Sequence, residues 1–597
     1  MSKTKDLQMM ANKLRIGSLK STTSAGSGHP TSCLSCAEIM SCLFFSELRP
    51  DDEFVMSKGH AAPILYAAYS EAGCFPEDEL LTLRRLESVL EGHPTPRFRL
   101  VKVATGSLGQ GLSAAVGMAL AKRLKGQSGR VYVLLGDGEC AEGSVWEAAN
   151  AAAHYEVTNI CAIVDVNRLG QSAPTMHGHD LEQYRRKFEA FGWRAETIDG
   201  HNVEEILPAL DHARGSEKPF VIIAKTIKGK GVSFLEDREG WHGKALKDDQ
   251  LGKALKEIGS VDIKLVSKAC KDRRIDYRVV PDFQPGKYAV GEPVSTRAAF
   301  GNALVSLGKE NETVVVLDGD VKNSTMTEGF FKALPERAFE SYIAEQNMVG
   351  MAVGLSAMGL SPFVATFSCF LTRAHDFIRM ARYSLANIKF CGSHAGISIG
   401  QDGPSQMGLE DIPMFLNIPD ALVLYPCDAP STEHLVREMA RYQGISYLRT
   451  TRNDTPVIYD NEEEFPVGGL KVVRGSDADE ALIVAAGITV HEAIRAHDVL
   501  KQKGTSVRVI DLYSLHPVDA KALMDNAARC GNKVVTVEDH YCRALGSVVG
   551  GILGRVKSLC VREIPSSGRP EELLRRHGID SSSIVEAVDE ALRSGEA

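Results

Sequence analysis

Short apolar runs alternate with amphipathic stretches along almost the whole chain. The runs Val131–Leu135, Ile160–Val166, Phe220–Ala224 and Val314–Leu317 predict buried strands, as do Phe363–Ala365, Leu482–Ala485, Val507–Ile510 and Val534–Val537. Between them, Gly143–Tyr155, Gln346–Met358 and His491–Lys501 carry apolar residues at helical spacing. Strand–helix alternation of this kind predicts an α/β protein with parallel or mixed sheets flanked by helices. In open sheets, ligands bind outside the carboxyl ends of the strands. Three of the runs end in polar clusters there: Gly136-Asp137-Gly138, Asp318-Gly319-Asp320 and Glu538-Asp539-His540.

The regular pattern is lost twice. Lys264–Pro293 is charged and irregular before a helical Arg297–Leu307, and Asn453–Gly469 contains Pro456, the acidic run Glu462–Glu464 and Pro466. Both read as linkers and divide the chain into three domains, 1–280, 291–455 and 468–597. A length of 597 residues agrees, since one core stops growing near ~250–300 residues.

Hydrophobic residues make up 44% and charged residues 24%, the balance of an ordinary globular chain rather than a disordered or fibrous one. The net charge of −9 argues against nucleic acid as a partner, because a polyanion needs a dense basic face. It leaves small anionic substrates open, because local arginines outweigh a global field at short range. No apolar run reaches the ~18 residues of a membrane span, and the amino terminus Met-Ser-Lys-Thr-Lys-Asp does not read as a signal peptide. Thirteen cysteines lack framework spacing and are expected to be reduced, mostly buried thiols of a cytoplasmic protein. Cys33 and Cys36 form a lone CxxC with no second pair, which reads as incidental.

The sharpest local signal is Gly136-Asp137-Gly138, separated by 28 residues from Asn167. Asp137 is placed at one strand end and Asn167 at the next. A carboxylate, an amide oxygen and nearby carbonyls suit a hard divalent cation that also takes diphosphate oxygens. Gly106–Gly111 has the order G-x-x-G-x-G, which is wrong for a dinucleotide loop. A nicotinamide oxidoreductase therefore fits the α/β pattern but lacks its fingerprint.

With these motifs in place, the chain resembles the transketolase family over nearly its whole length. The matching segments include Ser27–Pro30, Ser57–His60, Thr105–Gly111, Trp241–Lys244, Ser295–Arg297, Lys322–Thr325, Ala344–Met348, Gly392–His394 and Asp402–Ser405. The resemblance implies a thiamine diphosphate-binding fold. It also implies transfer of a two-carbon ketol unit, through a thiamine diphosphate carbanion, from xylulose 5-phosphate to ribose 5-phosphate or erythrose 4-phosphate. Asp137, Asn167 and the Leu169 carbonyl would hold Mg²⁺, Ca²⁺ or another divalent cation on the diphosphate. His60, Gly106, Ser107, Leu108 and Gly138 would line the cofactor, and Phe370 would pack on its pyrimidine. Glu345 would bond the pyrimidine N1′ and start proton removal. His29 and His242 would act nearest the reacting carbonyl and hydroxyl, with His93, His394 and Asp402 on sugar hydroxyls. Arg297, Ser324 and Arg452 would bind phosphate. Lys225 and Lys228 would extend the cofactor region.

The family also implies a homodimer with sites at the subunit interface. Gln406, histidine in many microbial members, resembles the shorter animal-type pattern, which bears on acceptor choice. Val166-Asn167 replaces the paired asparagines of many relatives, and Arg49–Glu53 is compact. Two other readings stay open at the level of sequence. One is a decarboxylating relative of the deoxyxylulose phosphate synthase type, and the other is a paralogue that binds the cofactor without turnover.

Overall fold

Strands and helices alternate through the computed structural model, which describes residues 3–270 and 283–593. The chain divides into two compact units. One comprises Met1–Asp276, Val349–Gly359 and Tyr383–Leu385, and the other Tyr277–Met348, Leu360–Arg382 and Ala386–Ala597.

The first unit holds β1 (Glu53–Met56), β2 (Val131–Gly136), β3 (Ile160–Val166), β4 (Arg194–Asp199) and β5 (Phe220–Lys225). They form one parallel sheet in the order β1-β2-β3-β5-β4. Central β2 and β3 are buried along their whole length, whereas edge strand β4 is largely open. That is why β2 and β3 read as continuous apolar runs, since a parallel sheet is covered by helices on both faces. One cover, the helix Lys3–Ala25, buries Leu7, Met10, Ala11 and Leu14 in the core of this unit.

The second unit contains β6 (Pro293–Ser295), β7 (Val314–Asp318), β8 (Ala338–Glu340), β9 (Ser361–Phe367), β10 (Lys389–Ser393), β11 (Leu422–Leu424), β12 (Ser446–Arg449) and β13 (Asp454–Pro456). It continues with β14 (Lys471–Arg474), β15 (Ala481–Ala485), β16 (Val507–Asp511), β17 (Ser514–His516), β18 (Val534–Tyr541) and β19 (Lys557–Val561). Two larger sheets result, β17-β11-β12-β10-β9-β7-β8 and β14-β16-β15-β18-β19. Each is parallel except for one antiparallel edge strand, β17 and β14 respectively.

The eight strand runs expected from sequence all lie within strands, and Ile160–Val166 matches β3 residue for residue. Two expectations need correction. The stretch Asn453–Gly469 is not wholly a linker, because β13 within it pairs antiparallel with β6. Three residues are too short for a period of two to register. The cysteines are not all reduced, since Cys74 and Cys270 are joined, their Cα atoms 5.3 Å apart. The pair is 196 residues apart in sequence, so only folding brings the two together. The other eleven cysteines are free. Cys33 and Cys36 are buried, and burial pushes both thiols up to about 12, which leaves them inert at neutral pH. Of the irregular stretch Lys264–Pro293, residues 271–282 lie outside the described residues.

Candidate functional site

At the carboxyl ends of β2 and β3 the first unit opens into a cavity of ≈ 370 Å³, within the range of small-molecule and cofactor sites. Asp137 follows β2 directly and is 6% exposed. Its carboxylate accepts the N–H groups of Gly138 at 2.9 Å and Arg168 at 2.7 Å, and the Thr175 hydroxyl at 3.0 Å. Burial, then the neighbouring Asp165 carboxylate, push its acid group above the ordinary range. Asn167 follows β3, and its Nδ2 donates to Asp165 Oδ2 at 3.3 Å while its Oδ1 accepts Leu169 N–H at 3.3 Å. Asp137, Asn167 and Leu169 all line the cavity. The set is all oxygen, with one carboxylate whose charge is opposed by burial and by Asp165. A hard divalent cation bridging to phosphate fits that chemistry, and so does the diphosphate-bearing cofactor implied by the sequence.

Behind these groups lies a buried ion pair that the motif reading passed over. Lys58, after β1, is bonded to Asp165 and also donates to Ser32 O at 3.0 Å. Ser35 donates to Asp165 at 2.6 Å and Thr226 donates to its other oxygen. Burial alone would raise the Asp165 acid group, but Lys58 and the hydroxyl donors hold it below the usual range. The ammonium of Lys58 is correspondingly held protonated by Asp165 against its burial.

Glu139 performs a similar service for the glycine loop. Its buried carboxylate accepts Gly109 N–H at 2.8 Å, Gly136 N–H at 3.1 Å and the Ser57 hydroxyl. It thereby ties the loop Thr105–Gly111 to the end of β2. Gly106 has φ +131, and a Cβ there would sit 2.9 Å from the His93 ring. Glycine is required on both counts. Gly106, Leu108 and Gly138 line the cavity, and Ser107 lies between the first two. The loop runs straight into the helix Gly111–Leu124, whose amino end favours anions.

Four imidazoles converge on the same cavity: His29, His60, His93 and His242. The His29 ring centre lies 5.3 Å from His60, 6.1 Å from His93 and 5.0 Å from His242. Burial first, then Arg84, His93 and Lys228, bring His29 down to about 4. Burial, then Lys228 and His29, bring His242 down to about 3, and His60 is also depressed. All are neutral at pH 7, able to donate at one nitrogen and accept at the other. Lys228 Nζ lies 2.8 Å from His242 Nδ1 and donates to Leu169 O at 2.6 Å. Lys225, in contrast, is exposed at the end of β5 and does not line the cavity.

The second unit gathers the remaining candidates. Glu345 begins the helix Glu345–Ala357 and is 3% exposed. Its Oε2 accepts from Arg373 Nε at 2.9 Å, although that arginine side chain is 61% exposed. After β9, Phe370 stacks on Phe367 at 5.3 Å, and Phe367 stacks on His394 at 4.1 Å. His394 Nδ1 bonds Ser393 Oγ at 2.9 Å. Burial, then Arg297 and Arg452, bring this imidazole down to about 3. Arg297 donates to Arg452 O and to Ser324 O, each at 3.0 Å. Arg452 donates to Asp402 at 3.1 Å. Arg297, Ser324, Asp402 and Arg452 therefore form one contiguous group.

Sequence reading missed Lys58, Asp165, Glu139 and Thr175. Lys58 sits inside the segment Ser57–His60, Glu139 directly follows Gly136-Asp137-Gly138, and Asp165, a carboxylate two residues before Asn167, lies in the run Ile160–Val166. Thr175 carried no comparable signal.

Three family models match the chain: transketolase, thiamine diphosphate binding domain, over residues 7–266; transketolase, pyrimidine binding domain, over 292–457; and transketolase, C-terminal domain, over 470–584. Transketolase of Rattus norvegicus is 47% identical over 615 residues, covering 99% of this chain and 98% of the relative. Transketolase of Homo sapiens is 46% identical, covering 98% and 97%. Among solved structures, transketolase from Campylobacter jejuni superposes with TM-score 0.89 at 25% identity, covering 99% of this chain and 100% of the other.

Proposed function

This chain belongs to the transketolase family, and from that membership we propose that it moves a two-carbon ketol unit between sugar phosphates. The donor is a ketose phosphate such as xylulose 5-phosphate, and the acceptor is ribose 5-phosphate or erythrose 4-phosphate. The reading is carried by one observation: four neutral imidazoles meet the oxygen set Asp137, Asn167 and Leu169 in a single cavity. An anion-and-metal end and a proton-handling end are what a diphosphate cofactor and a polyhydroxy substrate together require.

Bound thiamine diphosphate supplies the carbon nucleophile and electron sink with which a bond next to a carbonyl is cleaved and remade. The residues supply position and proton control. Asp137, Asn167 and Leu169 O would hold Mg²⁺ or a similar cation on the diphosphate, with His60, Gly106, Ser107, Leu108 and Gly138 around the cofactor. His29 and His242 would exchange protons with the substrate's carbonyl and hydroxyl oxygens. Their low basicity keeps them neutral, so each can act in either direction. Glu345 would hold the proton at the pyrimidine N1′, against which Phe370 packs. His93, His394 and Asp402 would bind hydroxyls. Arg297, Ser324 and Arg452 would bind phosphate, and planar guanidinium groups suit that ligand.

The same reading places three domains at 1–280, 291–455 and 468–597. It makes the active form a homodimer in which the diphosphate side of one chain works with the pyrimidine side of its partner. It also makes the chain a cytoplasmic protein of the non-oxidative pentose phosphate route; eleven of its thirteen cysteines are free, and Cys74 and Cys270 are joined.

Purified chain with thiamine diphosphate and Mg²⁺ is expected to convert xylulose 5-phosphate and ribose 5-phosphate into sedoheptulose 7-phosphate and glyceraldehyde 3-phosphate. Chelation and Glu345→Ala should each abolish that conversion. Cofactor binding without turnover would reverse the reading in favour of a non-catalytic paralogue, and carbon dioxide from pyruvate would favour a decarboxylating relative. Mixing inactive Asp137→Ala and Glu345→Ala chains should restore activity if sites are shared between subunits. No recovery in proven heterodimers would refute the shared site.

A further inference from the structure

Arg84 belongs to none of the motifs above, yet its backbone is held in the left-handed region at φ +61. A non-glycine residue stays there only when its surroundings over-determine it. Its own N–H donates to Leu90 O at 2.9 Å. Its guanidinium then reaches two separate segments, donating to Ser27 Oγ at 2.7 Å and to Gly92 O at 3.4 Å. Ser27 stands two residues before His29, and Gly92 immediately precedes His93. A Cβ on Gly92 would meet Arg84 Nε at 2.9 Å, so that glycine is what lets the guanidinium lie across the loop. The two histidine rings it spans are 6.1 Å apart.

Among the described residues no salt bridge includes this guanidinium, which donates only to the uncharged Ser27 Oγ and Gly92 O. Arg84 and His93 also line a second, more open cleft of ≈ 330 Å³, together with Arg85, Arg97 and Glu91. Its single carboxylate, Glu91, is paired with Arg97 at 2.5 Å.

We propose that Arg84 is a positioning residue for the ketol transfer, clasping the His29 and His93 segments so that both imidazoles face the sugar chain. This rests on the function proposed above and adds a residue to it. A fork of parallel donors on a planar group can reach acceptors on two loops at once, whereas a lysine ammonium is a single point. The electrostatics agree. Arg84 follows burial as the second cause depressing His29, with His93 and Lys228 behind it and His60 and His242 facing the same ring. Burial, then Arg84, depress His93.

The test uses the full chain loaded with thiamine diphosphate and Mg²⁺, comparing Arg84→Lys and Arg84→Gln with the wild type. KM for the sugar phosphates should rise about three- to tenfold in both variants, because both lose the fork. The acidic limb of kcat/KM should move up by about half a pH unit or more in Arg84→Gln, which removes the cation, and stay in place in Arg84→Lys. Cofactor affinity, set at Asp137, and the melting midpoint should hold. Titration of ¹³C-histidine-labelled chain by NMR reads the same shift at His29 and His93 without turnover. A wild type that makes no sedoheptulose 7-phosphate would therefore defeat the functional reading, while the NMR arm still decides the role of Arg84. Unmoved histidine titrations and an unmoved acidic limb in Arg84→Gln would overturn the proposal. So would a loss of activity matched by equal losses in cofactor affinity and melting midpoint, the mark of a residue that only supports the fold.

Discussion

Asn167 donates its side-chain amide to Asp165 at 3.3 Å, and that bond decides which end of the amide is left for a cation. With Nδ2 turned to the carboxylate, Oδ1 accepts the Leu169 N–H, and Asn167, Asp137 and Leu169 all line the cavity. Asp165 is in turn pinned by Lys58, Ser35 and Thr226. A residue that touches neither cofactor nor substrate thus orients one that would, as outer partners do at metal sites.

Replacing Asp165 removes its charge from both Lys58 and Asn167. Asp165→Ala strands the Lys58 ammonium in the interior, and loss of about 3–5 kcal/mol is expected in urea unfolding. Asp165→Asn keeps the shape but loses the charge that orders its neighbours. Affinity for cofactor with Mg²⁺ should then fall about 10- to 100-fold, read by calorimetric titration.

Gly106→Ala meets two obstacles, a φ of +131 and the His93 ring 2.9 Å from the new methyl group. Gly126→Ala meets only one, since its φ is +61 with open space around it. Both should destabilise the chain by about 1 kcal/mol or more through backbone strain. Only the first should also weaken cofactor binding, because only there must a cavity-lining ring move. Equal binding by both variants would show that the loop yields without disturbing the site.

Acid should weaken the fold through its buried imidazoles. In the unfolded chain histidine binds a proton near pH ~6.5, whereas folded His29 does so at about 4 and His242 at about 3. As pH falls below ~6.5 the unfolded state therefore binds more protons, and stability is lost until the folded values are reached. Three buried carboxyls act in the opposite direction. Asp318 is raised to about 6, and Asp511 and Glu538 to about 7, chiefly by burial, so their protonation favours the folded state as pH falls. The informative measurement is thus a difference. Urea midpoints at pH 7, 6 and 5 should fall less steeply in a His29→Asn/His242→Asn chain than in the wild type.

Under denaturing conditions without reductant, thiol titration should count eleven groups, and thirteen after reduction, matching the free cysteines and the Cys74–Cys270 pair. Cys74→Ser should lower unfolding stability by about 2–4 kcal/mol, since the link closes a long loop in the unfolded chain. Reductant should remove that difference between the two proteins.

Much of the architecture could be read before any coordinates, and for a local reason. A strand buried on both faces is apolar over most of its length, so β3 announced itself as Ile160–Val166, with Asp165 its one charged position. Turn chemistry then marked Asp137 at the end of β2 and Asn167 at the end of β3. Edge strands escaped: β4 has a single buried position, β14 alternates with exposed ones, and β13 is only three residues long. Short or half-exposed strands owe their existence to a partner, and the partner lies far away in sequence.

The same distinction divides the site. Residue types and spacing along the chain determined the α/β class, the diphosphate motif and which histidines to watch, because each is written within a few residues. Only the tertiary structure decided that His29, His60, His93 and His242 share one cavity, that Lys58 and Asp165 orient Asn167, and that Cys74 meets Cys270. It also decided that Arg84 spans the segments leading to His29 and His93. These are contacts between segments tens to more than two hundred residues apart. Burial and charge neighbours, which set the protonation of each group, exist only once those segments have packed.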